Sequence, residues 1–450
     1  MVELAGKRVV VMGLGRFGGG IGVTRFLAER GASVLVTDQL DEQALAASLE
    51  PLADLDIDYR LGGHAERDFT EADLVVVNPA VDPRRNLYLD AARSAGARLT
   101  SEIGLLIDAA CSGPQRRRTI GVTGTAGKTT TVAMIGHILR DNVGDRHVHV
   151  GGNIGGSLLG EIDTIGPRDW VVLELSSFML EALADWSPHV AVVTNIAPNH
   201  LDRHPHFDAY VKAKQTILRH QTHEDRAVLG PGVEDWRWVS PAVAVTQAEP
   251  FDELRLAIPG RHNRINATLA IVAAEAAGVR RSDAIEALAD FRSLPHRLQR
   301  VCERDGVGYV NDSKATTPEA TVLALDSFDL GQVHLIVGGY DKKSDLSEMA
   351  RRAAERCAGI YAIGQTGEAI AARAARAGRE LAEGSGKARR CEVQLSRTLD
   401  AAVAAARRAA WPGQVVLLSP GCASWDQFDN YEQRGDRFAE LARQGDAESA

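Results

Sequence analysis

No stretch of the 450-residue chain reaches the roughly 18 consecutive apolar residues of a membrane-spanning helix, so no membrane partner is expected. The N-terminus, "MVELAGKRVVVMG", runs straight into a strand and lacks a signal peptide's cleavage region. Cysteine is sparse. The five (Cys111, Cys302, Cys357, Cys391, Cys422) are scattered without CxxC spacing, which argues against bridges or a zinc framework and points to a reducing cytoplasm. Basic charge is also short: 51 Lys and Arg against 60 Asp and Glu give a formal net charge of −9, unsuited to nucleic acid. The run Arg116 to Arg118 reads as a solvated linker face, so an anionic ligand needs locally placed Lys and Arg. There is no short-period repeat and no extended low-complexity segment, and the tail "RQGDAESA" is expected to fray.

What is present is an ordinary globular composition, 45% hydrophobic and 25% charged, over a length that suggests about three domains. From Lys7 to about Ser101, apolar runs ("RVVVMG", "ASVLVTD", "ADLVVVNPA", "ARLTSE") alternate with helical stretches. After Pro114 a second series follows ("TIGVTG", "WVVLELSS", "VAVVTNIA", "RAVLG"), ending in an Ala-rich helical stretch from Asn266 to Ala289 that "RSLPHRLQ" interrupts. A third begins after Arg297 ("GVGYVNDS", "VHLIVGGYD", "GIYAIG", "QVVLLSPG"). The alternation predicts an α/β protein with parallel, doubly wound sheets in all three segments. The expected domains are 1–100, 101–297 and 298–450, the outer two Rossmann-like and the central one a P-loop ATPase-like sheet.

Motifs gather at strand ends, where open α/β sheets put ligands. "GVTGTAGKTTT" (121–131) has the strand–turn–helix form of a phosphate cradle, with backbone N–H groups facing an anion, a lysine for the terminal phosphates and a hydroxyl for Mg²⁺. The usual GxxxxGK[ST] pattern wants glycine at 122, where this chain has Val122. Glu174 ends a strand, and His200 and Asp202 lie beyond another, a combination that suits a divalent cation. Singly, Glu174 can be a helix cap and His200 a surface histidine. In "DAYVKAKQTIL", Tyr210 and Lys214 share a helix face while Lys212 points elsewhere, although a lone lysine is ordinarily solvated. Gly13-x-Gly15-x-x-Gly18, with Asp38 ending the next strand, fits NAD, another nucleotide or a merely tight turn. No hydride-transfer partner follows it. "NDSKATTPEAT", "GGYDKKSD" and "SPGCASWDQFDNYEQRG" collect hydroxyls, lysines and Gly-rich turns that can hold a small acidic ligand.

In order along the chain, "TGTAGKTTT", "GGNIGG", "LELSSF", "NHLDRH", "YVKAK", "LPHR", "NDSKATTP" and "SPGCASWDQFDNYEQRG" resemble the Mur ligases of peptidoglycan synthesis, over nearly the whole length. That family writes its phosphate loop TGxxGK[ST], which accounts for Val122. "DSKATTP" with "SPGCASWDQF" favours its glutamate-adding branch. The resemblance implies a cytoplasmic, ATP- and Mg²⁺-dependent amide ligase, monomeric, acting on a UDP-linked muramoyl-alanine donor and glutamate through an acyl phosphate. It implies that Gly124, Thr125, Ala126, Gly127, Lys128, Thr129 and Thr130 cradle the phosphates. Asn266, Arg297 and Asp312 would face the rest of ATP. Thr129, Glu174, His200 and Lys214, the last carrying a carbamate, would hold two Mg²⁺ ions. Gly15, Arg16, Asp38 and Asn153 would meet the UDP-sugar, and Lys314, Thr316, Lys342, Ser424 and the Tyr431 backbone would receive glutamate.

Some positions depart from the family pattern. Ala126 and Asn199 stand where asparagine and aspartate are usual, and Thr317 replaces an asparagine. "GRFGGGIG" is richer in glycine, and "NPAV" stands for "SPG". The last two leave a modified donor open. A ligase for another amino acid or for L-glutamate, and a regulator that has lost catalysis, are the competing readings.

Overall fold

The computed structural model describes residues 3–444, except 16–18, 155–156, 184, 200–202, 240–242, 247–250 and 386–390. The chain divides into two compact units, one of Met1–Glu249 with Asn266–Leu288, the other of Pro250–Ile265 with Ala289–Ala450.

The first unit holds two wholly parallel sheets. One consists of β1 (Arg8–Met12), β2 (Ser33–Asp38), β3 (Asp58–Leu61), β4 (Leu74–Val77) and β5 (Arg98–Thr100), in the order β3-β2-β1-β4-β5. The direction of winding changes at β1, so the loops leaving β1 and β4 border a crevice at the sheet's carboxyl edge. The other consists of β6 (Thr119–Thr123), β7 (Val148–Gly152), β8 (Trp170–Glu174), β9 (Val190–Val193), β10 (Arg226–Leu229) and β11 (Val243–Thr246), in the order β11-β10-β9-β6-β8-β7. All residues of β6, β8 and β9 are buried, as expected of central parallel strands covered on both faces. One apolar core runs through both sheets. The helix Glu102–Ala110 contributes Ile103, Leu105, Leu106 and Ile107 to it, with Leu158 and Leu173 among their neighbours.

The second unit carries β12 (Gln299–Arg304), β13 (Val307–Asn311), β14 (Val333–Gly338), β15 (Gly359–Ile363), β16 (Glu392–Arg397) and β17 (Val415–Leu418), in the order β12-β13-β17-β14-β15-β16. This sheet is not parallel throughout, contrary to the expectation from sequence. β12 and β13 pair antiparallel across Asp305-Gly306, whose φ angles of 51° and 75° make the two-residue turn of a tight hairpin. A parallel connection would need a crossover of a dozen residues or so. The Ala-rich stretch, which belongs to the first unit from Asn266 to Leu288, is helical as its periodicity predicts. It forms two helices, Arg261–Ala276 and Arg281–Ala289, because Gly278 adopts a φ of 97° and ends the first. Among the described residues no helix is long and apolar enough to cross a membrane.

Candidate active site

The phosphate loop leaves the central strand β6 and enters the helix Lys128–Val143. Its two glycines are required by what surrounds them. A Cβ on Gly124 would lie 1.9 Å from Thr194 Oγ1, and one on Gly127, which has a left-handed φ of 84°, would lie 2.4 Å from Asn266 Oδ1. Asn266 therefore packs directly on the loop. Between the glycines, Ala126 is held entirely by its backbone. Its N–H donates to Asn195 Oδ1 (3.0 Å), and its carbonyl accepts from Thr194 Oγ1 (2.6 Å) and Asn195 Nδ2 (2.9 Å). A methyl side chain is sufficient there. Thr125 donates its N–H to the Asn195 carbonyl at 3.1 Å, and its hydroxyl meets Ala197 and the Tyr210 hydroxyl. Lys128 Nζ donates to the carbonyls of Gly124 (3.1 Å) and Thr125 (3.0 Å), which places its charge across the loop mouth. Thr129 is buried in the first turn of the helix, and Thr130 follows it.

Glu174 ends β8, which pairs with β6 so that Glu174 lies opposite Val122. It is 2% exposed. Oε1 accepts from Asn153 Nδ2 at 2.9 Å, while Oε2 is buried without a hydrogen-bond partner among the described residues. A buried carboxylate oxygen left unsatisfied carries a large desolvation penalty, which a hard cation removes. Together with the Thr129 hydroxyl this donor set fits Mg²⁺. Asn153, expected along the UDP-sugar, is bound to Glu174 twice, since its N–H also donates to the Glu174 carbonyl at 2.9 Å.

Lys214 lies on the helix Phe207–Arg219 and is 2% exposed, whereas Lys212 is exposed. Lys214 Nζ donates to Thr123 Oγ1 at 3.3 Å and sits 4.8 Å from the centre of the Tyr210 ring. Burial, and then nearby Lys128, hold its ammonium well below the ordinary lysine range, with Glu174 opposing. His200 and Asp202 lie outside the described residues, as do Arg16 and Gly18. Among the described residues, no three His, Cys, Asp or Glu side chains group to hold a metal. At the crevice of the first sheet, Asp38 turns inward: Oδ2 accepts from the Gly15 N–H (3.1 Å) and Oδ1 from the Leu40 N–H (2.9 Å).

In the second unit the remaining expected residues stand at the carboxyl ends of β13, β14 and β17, which are adjacent. Arg297 lies between His296 and Leu298, whose φ angles of 61° and 43° are unusual outside glycine. Asp312 is buried; Oδ1 accepts from the Leu298 N–H (3.1 Å) and Oδ2 from Ser419 Oγ (2.8 Å). Burial pushes its carboxyl up to about 7, against the pull of those two hydrogen bonds and of Arg297. Lys314 Nζ lies over the Tyr431 ring at 4.9 Å, and Lys342 Nζ over the Trp425 ring at 5.0 Å. Ser424 is buried and Thr316 half-buried. Arg434 ties the loops together: Nε donates to Ser313 Oγ (3.0 Å), Nη2 to the Ser313 carbonyl (2.8 Å) and Nη1 to the Cys422 carbonyl (3.1 Å).

Family models match the chain in three consecutive pieces: a Mur ligase MurD-like N-terminal domain at residues 7–101, a Mur ligase middle domain at 122–237, and a Mur ligase glutamate ligase domain at 296–422. A relative from Roseiflexus sp. strain RS-1, named UDP-N-acetylmuramoylalanine–D-glutamate ligase, is 40% identical over 98% of this chain and 99% of its own. The chain belongs to the Mur ligase family. A second relative of this Mur ligase, from Acidobacterium capsulatum and of the same name, is 37% identical over 98% of the chain and 97% of its own. Among solved structures, a UDP-N-acetylmuramate-alanine ligase from Thermotoga maritima covers 97% of this chain and 99% of its own, with a TM-score of 0.60 at 20% identity. MurF from Acinetobacter baumannii covers 98% and 92%, with a TM-score of 0.55 at 16% identity. At such identities these two bear on the fold alone.

Sequence reasoning missed several residues that build the site of this Mur ligase. Asn195, Trp425 and Arg434 all lie inside stretches singled out from sequence ("VAVVTNIA" and "SPGCASWDQFDNYEQRG"), so position was the available signal. Their partners, Ala126, Lys342 and Ser313, are set by tertiary folding alone.

Proposed function

We propose that this Mur ligase joins D-glutamate to UDP-N-acetylmuramoyl-L-alanine at the expense of ATP, in peptidoglycan precursor synthesis. The names of its full-length relatives support the substrates. The observation that carries the chemistry is the buried Glu174 oxygen, unpartnered among the described residues, beside a phosphate loop whose lysine spans the mouth. We assign the UDP-sugar to residues 1–100, ATP to 101–297 and glutamate to 298–450, in a cytoplasmic monomer.

A carboxylate cannot acylate an amine at neutral pH, because its oxygen is a poor leaving group. The donor carboxylate therefore attacks the γ-phosphorus of ATP and ADP departs. The glutamate amine then attacks the acyl phosphate, gives up a proton and expels phosphate. Lys128 exchanges its two neutral carbonyl acceptors for phosphate oxygens and follows the charge as it moves. The first turn of the following helix turns its N–H groups toward the same anion. Thr129, Glu174 and His200 would hold Mg²⁺, which supplies charge neutralisation to the phosphates when bound. In the second unit Lys342 and Ser424 would pair the carboxylates of glutamate, with Arg434 fixing the loop that carries Ser424.

Lys214 would act as a carbamate. Its ammonium, held below the ordinary lysine range, first loses a proton; the neutral amine then adds to CO₂ and releases a second, leaving a carboxylate suited to Mg²⁺. Support comes from its burial, with a hydroxyl and a ring face as its partners among the described residues. The test of the whole reading is ADP and phosphate release across a panel of UDP-muramoyl donors and amino acids. Turnover is expected with UDP-N-acetylmuramoyl-L-alanine plus D-glutamate and not with L-glutamate. Equal turnover with another donor or amino acid would overturn the substrate assignment.

A further inference from the structure

We propose that Arg203 is a positioning residue that couples the loops at the crevice of the first sheet to the phosphate site of the second, so that donor and ATP tighten each other's binding. This rests on the assignment of the UDP donor to that crevice. Arg203 spans the junction between the two sheets of the first unit. Its Nη1 donates to the Ala80 carbonyl (2.9 Å) and its Nη2 to the Pro79 carbonyl (3.2 Å), so the planar guanidinium grips two successive peptide groups of the "NPAV" turn. Its guanidinium carbon lies 4.8 Å from the centre of the Phe178 ring, and its Nε is buried with no hydrogen-bond partner among the described residues. The grip is reciprocal. Arg84, held by Asp82 at 2.9 Å, donates Nη2 to the Arg203 carbonyl at 2.7 Å.

Each end of this contact continues to a binding loop. On the donor side, Asn78 Nδ2 donates to the Gly13 carbonyl (3.1 Å), and Asn78 Oδ1 accepts from the Ala80 N–H (2.9 Å). The turn that Arg203 grips is thus bound to the glycine loop leaving β1. On the nucleotide side, the Phe178 ring stacks on His204 at 5.4 Å, and His204 Nε2 meets Ser177 Oγ at 3.0 Å, three residues after Glu174. The acceptors of Arg203 on the turn are the neutral carbonyls of Pro79 and Ala80, while its charge also favours the ionised Asp82 beside the turn and the ionised Glu181. A ligand that fixes the Gly13–Gly15 loop fixes the turn, the guanidinium and Phe178, and the second ligand then has less left to order.

The experiment is calorimetric titration of UDP-N-acetylmuramoyl-L-alanine into the full chain, with and without a saturating non-hydrolysable ATP analogue and Mg²⁺. In the wild type the donor Kd should fall at least about 5-fold with the analogue present, and the analogue's Kd should fall by the same factor with the donor present. In Arg203→Gln both ratios should drop to about 1 while each ligand alone binds as before. Arg203→Lys, which can reach only one carbonyl, should be intermediate. Should Arg203→Gln not fold, Arg84→Gln loosens the same junction from the other side and should lower the ratio. A wild-type ratio of one, or a ratio retained in the variants, would overturn the proposal, as would equal weakening of both separate affinities with the ratio intact. Failure of the wild type to bind the donor while it binds the analogue would instead refute the donor assignment, and the coupling with it.

Discussion

Replacing Asp312 by Asn should stabilise the second unit by an amount that grows as pH rises from 3.8 to about 7. Burial raises the Asp312 carboxyl from an ordinary 3.8 to about 7. Below pH 3.8 the folded and unfolded chains both carry the proton. Between 3.8 and about 7 only the folded chain does, so stability falls as pH rises and levels off above about 7. At 1.36 kcal/mol per pH unit, that span of about three units amounts to about 4 kcal/mol. Asparagine fits the same hydrogen bonds. Its Oδ1 can accept from the Leu298 N–H, and its Nδ2 can donate to Ser419 Oγ, whose single proton then turns to Thr321 Oγ1, 3.2 Å away. Urea unfolding followed by tryptophan fluorescence, at pH 5 and 8.5, gives the two differences needed. Asp312→Asn should gain over the wild type by up to about 4 kcal/mol at pH 8.5 and by distinctly less at pH 5. An equal difference at both would show that the carboxyl is not held neutral. A variant less stable at pH 8.5 would mean that attraction to Arg297 outweighs burial.

Lys128→Ala should lose about 2.7–4 kcal/mol of transition-state stabilisation, a drop of about 10²–10³ in phosphate release, and a folded variant with wild-type turnover would remove Lys128 from the chemistry. Lys214→Ala should be nearly inactive yet partly restored by formate or acetate, with Lys212→Ala close to wild type; rescue by a small amine alone would mean that Lys214 works as a cation. Trp425→Ala removes the ring under Lys342, a contact worth about 0.5–1 kcal/mol at an exposed site, and should raise the KM for glutamate about 2–5-fold. The KM for ATP should not move, and an equal rise in both would assign Trp425 to folding instead.

The phosphate loop was legible from sequence because strand, turn and helix follow one another within eleven residues. The shared face of Tyr210 and Lys214 was legible for the same reason, since four residues make about one helical turn. The antiparallel β12–β13 hairpin was missed because β12, QRVCER, has only Val301 and Cys302 as apolar residues and so shows no apolar run to mark a strand. Asp305-Gly306 was the local sign. The grip of Arg203 on residues 79 and 80 had no local sign at all: its partners are more than a hundred residues away, and backbone carbonyls carry no residue code. Asp312 shows the opposite limit. Its place at a strand end was readable, but its raised carboxyl depends on burial and on Ser419, which only the folded chain supplies.

The central claim is that ATP activates the donor by phosphorylating its carboxylate. It is tested most directly by UDP-N-acetylmuramoyl-L-alanine labelled with ¹⁸O in its terminal carboxylate. During turnover with ATP and D-glutamate, mass spectrometry of the inorganic phosphate should find one ¹⁸O transferred per molecule from a fully labelled donor, with ADP as the other nucleotide product. Unlabelled phosphate, or AMP and pyrophosphate as products, would contradict the acyl-phosphate route.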